Sequence, residues 1–219
     1  MYNLLKSKLQ RIRWGYDPVP LDYSIEYLEK SLNGYHFDET MLSIVYEEIK
    51  DKSDFKILDL GAGPGLYTID FAKNGFDVTW CDISKNYYIM ANALFLINKL
   101  SVPMQLTYID NFQGAFDLIF SRVSLYYSIS DDVILDRIYN SLNPGGSFIA
   151  LLHNENRVVA KGILNVLIQL QFLCYRKFNL KIGHPPMSKE MINEKLRKYQ
   201  WDTLVISDYG LDTLVVAKK

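Results

Sequence analysis

The sequence predicts an α/β fold in which strands alternate with helices and the longest strands run parallel. Residues 57–60 are predicted to form a short apolar strand that ends in a glycine turn, and a helix and a second strand at 76–81 complete one βαβ unit. The strand at 147–152 is apolar throughout its middle, as a parallel strand covered on both faces should be. Two further strands, 201–207 and 211–217, form a terminal hairpin.

The first part of the chain, residues 1–50, is predicted to be helical. Apolar residues recur at helical spacing within 4–12, and the two prolines of 14–20 forbid a continued helix. Two more helices are expected at 22–32 and 38–50 before the first strand begins.

The turn after the first strand, Gly61-Ala62-Gly63-Pro64-Gly65, is the centre of the predicted site. Three glycines allow a ligand to approach the backbone closely, because no Cβ stands in the way. Asp82 stands at the tip of the next strand, roughly 20 residues on, where an acid is expected to bind ribose hydroxyls. Leu66 occupies the place of the third glycine of a dinucleotide fingerprint, and no Gly-Lys-Ser/Thr follows. The ligand predicted by this pattern is a nucleoside without a pyrophosphate.

Three motifs in chain order resemble those of the class I S-adenosylmethionine-dependent methyltransferases. The first signature is similar to residues 58–65, the fourth-strand motif to 116–121, and the motif before the fifth strand to 142–149. The resemblance spans about residues 50–152. It implies a doubly wound, mostly parallel seven-stranded sheet with helices on both faces and an antiparallel last strand. It also implies the cofactor S-adenosyl-L-methionine and the product S-adenosyl-L-homocysteine.

The resemblance divides the chain into a methyltransferase core at 51–219 and an N-terminal helical lid at 1–50. A helical cap is expected as an insertion at about 155–187. The tyrosines expected to line the lid are Tyr16, Tyr23 and Tyr27, with Tyr16 and Tyr23 next to the substrate. Plain aromatic packing is the alternative for these rings.

The resemblance also assigns cofactor contacts. The glycine turn would support the methionyl part, Asp59 would orient its amino group through the turn, and Asp82 would hold the ribose. Asp110, at the end of a third strand predicted at 104–110, would accept from the adenine amine, with Asn111 or Phe112 beside the ring; a turn-forming Asp is the alternative. The expected cofactor-binding residues are Asp59, Gly61, Ala62, Gly63, Gly65, Asp82, Ile83, Asp110, Asn111 and Ser121.

Three residues are candidates for the chemistry itself. Tyr126 and Tyr127 follow the fourth strand, and one of them is expected to face the methyl group through a cation–π contact, since a tyrosine is a poor base at neutral pH. His153, just past the fifth strand, would take a proton from an attacking hydroxyl or amine, or is a hydrogen-bonded spectator. Arg122 and Arg157 are the basic candidates for substrate binding.

Residues 158–175 are apolar almost all round but are interrupted by polar side chains, which argues against a transmembrane helix. A cap over a hydrophobic pocket and a homodimer contact remain alternatives for this helix. The basic residues Arg176, Lys177 and Lys181 that follow it are placed to meet an acidic substrate group.

The composition sets further limits on function. A formal net charge of -1 gives no overall field to attract nucleic acid. Cys81 and Cys174 are too far apart for a Cys-x-x-Cys site, so no metal is expected. The N-terminus lacks a signal peptide pattern, which predicts a cytoplasmic protein.

The sequence as a whole predicts methyl transfer to an oxygen or nitrogen of a small molecule or short peptide. One alternative is an RNA or protein methyltransferase that docks through the basic cluster at 6–13. Another is a cofactor-binding module without catalysis.

Overall fold

The computed structural model describes residues 17–34, 37–50, 55–154, 163–178, 181 and 185–219. The strands are β1 Lys56–Leu60, β2 Asp77–Asp82, β3 Met104–Leu106, β4 Phe116–Arg122, β5 Leu142–His153, β6 Thr203–Tyr209 and β7 Asp212–Lys218. They form a seven-stranded sheet in the order β3-β2-β1-β4-β5-β7-β6. Strands β1 to β5 pair in parallel, whereas β7 is antiparallel to both β5 and β6. The predicted mostly parallel sheet with an antiparallel last strand is confirmed.

The α-helices of the described residues are α1 Leu21–Leu32, α2 Glu39–Glu48, α3 Leu66–Lys73, α4 Lys85–Ile97, α5 Asp131–Ser141, α6 Ile163–Phe178 and α7 Lys189–Leu196. Two short 3-10 turns lie at Ile109–Asn111 and Leu125–Tyr127. Three helices begin at side-chain caps in which Asp38, Ser84 and Ser188 accept from backbone amides of the first turn.

Helices cover both faces of the sheet, as predicted. Side chains alternate along β4, so that Ile119 packs into the cluster formed with α5 and α7, while Leu118 and Phe120 pack into the cluster formed with α2 and α3. A third cluster around the fully buried Trp80 joins β2 to α4, and Tyr27 of α1 packs against it. This arrangement leaves the carboxyl ends of β1, β2, β4 and β5 together at one edge of the sheet.

The third strand is shorter than predicted. The strand expected at 104–110 ends at Leu106, and Asp110 lies in a 3-10 turn. The amide of Thr107 still donates to the carbonyl of Asp82 at 2.9 Å. Because β3 is an edge strand paired only with β2, and β2 ends at Asp82, the chain has no further strand to pair with and turns.

The predicted helical insertion at 155–187 contains α6. The hydroxyl of Tyr175 donates to the carboxylate of Asp131, the first residue of α5. The ammonium of Lys181 lies 2.8 Å from the same carboxylate and donates to Ser128 Oγ at 2.9 Å. Since Lys181 is 3% exposed and paired inside the protein, the expectation that it meets a substrate acid is wrong.

The outer side of α6 carries the half-exposed apolar residues Val166, Leu167, Leu170 and Leu173. The homodimer contact expected for this helix stays a prediction. Among the described residues, no helix combines the length and apolar character needed to cross a membrane.

Candidate functional site

The glycine bend after β1 is held against β2 by hydrogen bonds. The amides of Gly61 and Ala62 donate to the carbonyl of Cys81 at 2.8 and 3.0 Å, and the indole of Trp80 donates to the carbonyl of Gly63 at 3.0 Å. Gly61, Gly63 and Gly65 all have positive φ, at 74°, 54° and 83°. Glycine adopts this left-handed region without steric cost, which explains why the bend is built from it.

The two sides of the bend differ in the space around them. A Cβ on Gly61 would lie 2.2 Å from Cβ and Oγ of Ser124, so this side is packed against the loop after β4. A Cβ on Gly63 would meet only ring carbons of Tyr87 and Tyr27, at 3.9 and 4.0 Å. The residues fit a nucleoside ligand, because bare backbone faces aromatic rings and a carboxylate lies behind it.

Asp82 supplies that carboxylate. One oxygen accepts from the amide of Gly63 and the other from the amide of Ser84, each at 2.9 Å. Burial raises the pKa of Asp82, and the amide donors of Ser84 and Gly63 act against this rise. The side chain predicted to hold a ribose therefore also braces the glycine bend, next to the half-buried Ile83.

Asp59 lies beneath the bend. Its carboxylate accepts from Thr68 Oγ1 of α3 at 2.6 Å, and the residue is 2% exposed. Burial raises the pKa of Asp59 to about 7, against the opposing effect of Thr68. Asp59 thus fixes the bend to the first turn of α3, and its predicted role in orienting the amino group of a cofactor stays a prediction.

The described part of the N-terminal region covers the bend. Asp17 accepts from Ser84 Oγ at 2.8 Å and from the amide of Asn86 at 2.9 Å, which ties the segment before α1 to the start of α4. The ring of Tyr27 lies 5.8 Å from that of Tyr87. Tyr23 is exposed, and Tyr16 lies outside the described residues.

The acid expected at the adenine lies at the neighbouring strand end. One oxygen of Asp110 accepts from the amide of Ile129 at 2.9 Å, and the other is buried without a hydrogen bond to any residue that the structure describes. Burial raises the pKa of Asp110, whereas the amide donors of Ile129 and Ser130 lower it. Asn111 beside it is exposed. Asp110 thus braces the loop after β4, and its contact with adenine stays a prediction.

Ser121 near the end of β4 and Ser124 in the loop after it support the glycine bend on its β4 side. Ser121 Oγ and Ser124 Oγ both donate to the carbonyl of Leu60, at 3.0 and 2.8 Å. Between them Val123 has a φ of 55°, a strained conformation for a β-branched residue. The cofactor contact predicted for Ser121 stays a prediction, and Ser124 was not predicted, because no local motif indicates its position against Gly61.

Tyr126 and Tyr127 lie in the 3-10 turn that follows. Their ring centroids are 4.2 Å apart, and Tyr126 is stacked on His153 at 5.8 Å. Burial raises the pKa of Tyr126 above its ordinary value, with Tyr127 adding to the rise. Tyr126 therefore stays protonated at neutral pH and suits packing or orientation rather than proton abstraction.

His153 ends β5 and is joined to an acid that sequence analysis missed. Its Nδ1 lies 3.0 Å from Oδ1 of Asp212, which is 4% exposed, and the two residues pair across β5 and β7. Such a partner fixes the orientation of the imidazole. His153 also lines a small cavity together with Val123, Ser124, Leu125, Tyr126, Leu152, Pro186 and Met187.

Of the two arginines predicted to bind substrate, Arg122 lies in the described part of the chain. Arg122 is the last residue of β4 and is half-buried at the same edge of the sheet. Arg157 lies outside the described residues. No group of His, Cys, Asp and Glu that would hold a metal ion occurs in the part of the chain that the structure covers.

Comparisons with known proteins agree with this geometry. Residues 57–146 match the family profile described as methyltransferase domain. No curated protein matches the chain. Among solved structures, TehB from Haemophilus influenzae has a TM-score of 0.59 at 17% identity, over 87% of this chain and 66% of its own. A SAM-dependent methyltransferase from Methanosarcina mazei has a TM-score of 0.61 at 15% identity, over 80% of this chain and 96% of its own.

Phosphoethanolamine N-methyltransferase 2 of Haemonchus contortus, in complex with S-adenosyl-L-methionine, has a TM-score of 0.59 at 24% identity, over 78% of this chain. The chain spans 66% of the length of TehB and 38% of the length of the Haemonchus enzyme. At these identities the structural likeness concerns the fold, and the profile match concerns residues 57–146.

Proposed function

We propose that this chain, whose residues 57–146 form a methyltransferase domain on the class I S-adenosylmethionine-dependent methyltransferase fold, methylates a small molecule or short peptide. The acceptor atom in this proposal is an oxygen or a nitrogen. The observation that carries it is the bare glycine bend whose amide at Gly63 is bound by the acid of the next strand, Asp82. This combination is suited to a nucleoside and offers no phosphate-binding lysine.

S-adenosyl-L-methionine supplies a methyl group that the sulfonium already activates. The glycine bend would take its methionyl part, with Asp59 behind it, and Asp82 and Ile83 would lie at the ribose. Asp110 and Asn111 would lie at the adenine, and Ser121 near the methionyl end. The solved complex of the Haemonchus contortus enzyme with S-adenosyl-L-methionine supports the choice of cofactor.

The acceptor side of the proposed site is formed by β4, β5 and the turn that follows β4. Tyr126 presents an aromatic ring that suits contact with a positive sulfur. His153, held by Asp212, would accept the proton that the acceptor hydroxyl or amine loses. Because methyl transfer is an in-line displacement, the main work of these residues is alignment and exclusion of water.

Binding of S-adenosyl-L-homocysteine, measured by calorimetry, tests the cofactor assignment. Asp82→Ala should weaken binding at least about tenfold, because it removes a charged acceptor and releases the amide of Gly63. Asp77→Ala is the matched control, since Asp77 is exposed at the other end of the same strand. Unchanged affinity in Asp82→Ala would refute the ribose assignment.

Catalysis is tested by incubating the protein with S-adenosyl-L-methionine carrying an isotopic methyl label and with pools of metabolites or short peptides. The expected product is an acceptor heavier by one methyl group. Tight cofactor binding without transfer to any pool would favour a binding module instead.

A further inference from the structure

Arg122 is the last residue of β4, and its charge has no ion-pair partner among the residues that the structure describes. Within the described residues its guanidinium forms neither a hydrogen bond nor an ion pair, and its Nε is buried. A partly buried cation without a counter-charge is costly, because it loses hydration without gaining a partner. Most cations of this kind in proteins are paired, so the missing partner at Arg122 requires an explanation.

Tyrosine rings from separate elements lie within electrostatic reach of this position. Side chains two apart on a strand share a face, so Arg122 follows Phe120 on the face where Tyr67 of α3 packs, with ring centroids 5.1 Å apart. The charge of Arg122 also acts on Tyr27 of α1 and Tyr209 of β6, in each case lowering a tyrosine pKa that burial raises.

The acid that shares this neighbourhood is already engaged. Asp38 Oδ1 accepts from the hydroxyl of Tyr209 at 2.7 Å and from the amide of Met41 at 2.9 Å, and caps α2. The hydroxyl of Tyr67 accepts from the amide of Asp38 at 2.8 Å. These bonds hold Asp38 in place as a helix cap, and it lies beyond ion-pair distance of Arg122.

The position of Arg122 connects it to the glycine bend. β4 pairs with β1, and Tyr27, on which the charge of Arg122 acts, lies against Gly63. A ligand in the crevice between these strand ends would therefore bring its polar groups close to the guanidinium. The planar fork of a guanidinium matches carboxylate and phosphate oxygens in bidentate fashion.

We propose that Arg122 is the anion-binding residue of this site and pairs with a carboxylate or phosphate of a bound ligand. The inference rests on the proposed function and deepens it. Two sources would supply the anion: the methionyl carboxylate of the cofactor, or an acidic group on the methyl acceptor.

Two nucleoside thioethers separate these sources. S-adenosyl-L-homocysteine carries the amino acid carboxylate, whereas 5′-methylthioadenosine lacks it. If the cofactor supplies the anion, Arg122→Gln weakens the binding of S-adenosyl-L-homocysteine roughly ten- to hundredfold and leaves the affinity for 5′-methylthioadenosine unchanged. Arg122→Lys keeps the charge but loses the planar guanidinium fork. Its affinity for S-adenosyl-L-homocysteine should lie between that of Arg122→Gln and that of the unmodified protein.

Inorganic phosphate probes the other source. If the acceptor supplies the anion, the unmodified protein binds phosphate both with and without S-adenosyl-L-homocysteine. Arg122→Gln then abolishes phosphate binding but leaves the affinity for both thioethers unchanged. Arg197→Gln is the matched control, because Arg197 is exposed and bonded to Asn193 on α7.

Equal losses for the two thioethers, or no change in thioether or phosphate binding, would overturn the inference. Failure of the unmodified protein to bind S-adenosyl-L-homocysteine would instead refute the proposed function, and the phosphate titration without it would still decide the role of Arg122. Thermal unfolding of each variant identifies any that is misfolded.

Discussion

The two halves of the carboxyl edge of the sheet are built differently. At β1 and β2 the buried acids are satisfied within the protein, Asp59 by Thr68 and Asp82 by the amides of Gly63 and Ser84. At β4 and β5 the edge instead holds a strained Val123, a solvent-accessible His153, and Arg122, which has no charge partner within the described part of the chain. The first half, the glycine bend with Asp59 and Asp82, is a preorganised cradle. The second half keeps its reactive groups available to a ligand.

The largest expected effect tests the rigidity of the first half. Gly61→Ala places a Cβ 2.2 Å from Ser124 at a φ of 74°. The bend or the serine must move, and the free energy of unfolding should fall by roughly 2–4 kcal/mol in urea titrations.

Gly63→Ala is its control, since the same backbone strain arises there but the added Cβ makes only ordinary van der Waals contacts, and the loss should be about 1 kcal/mol. The double variant Gly61→Ala, Ser124→Gly should recover part of the stability. Equal losses at Gly61 and Gly63 would show that the packing against Ser124 is unimportant.

The next effect concerns the second half. His153→Asn should lower kcat roughly hundredfold, as expected for a lost general base, while the affinity for S-adenosyl-L-homocysteine stays unchanged. Asp212→Asn should have a smaller effect of the same kind, because it only orients the ring. Steady-state kinetics with an identified acceptor measure both, with the exposed Asp208→Asn as control. An unaltered kcat in His153→Asn would make this histidine a spectator.

The smallest effect, counted per pH unit, is a pH dependence of stability in the first half. Burial raises the pKa of Asp59 from 3.8 to about 7, so the folded state holds its proton more tightly than the unfolded state. The stabilisation is complete below pH 3.8 and is lost as the pH rises to about 7, at no more than roughly 1.4 kcal/mol per pH unit.

Asp59→Asn should flatten this slope in urea titrations across the same window. Some slope should remain, because burial also raises the pKa of Asp82 and Asp110. Asp202→Asn, an exposed site, should leave it unchanged. A wild-type slope in Asp59→Asn would contradict the assignment.

The same contrast explains what could be predicted from the sequence. The bend and Asp82 belong to one βαβ unit, so their meeting follows from local spacing. Asp212 is 59 residues from His153 and reaches it only through antiparallel pairing of β7 with β5. Gly61 follows β1 and Ser124 follows β4, so their contact likewise depends on the pairing of two strands that are distant in sequence. The end of β3 was misplaced because an edge strand ends where its partner ends.

The hydrogen bond between Trp80 and the carbonyl of Gly63 gives the cradle an optical readout. Indole emission responds to hydrogen bonding and local polarity, so a ligand that displaces the bend alters the light from Trp80. The sequence holds two other tryptophans, Trp14 and Trp201, so the substitutions Trp14→Phe and Trp201→Phe leave Trp80 as the only emitting indole. Occupancy of the cradle can thus be followed by tryptophan fluorescence without attaching a dye.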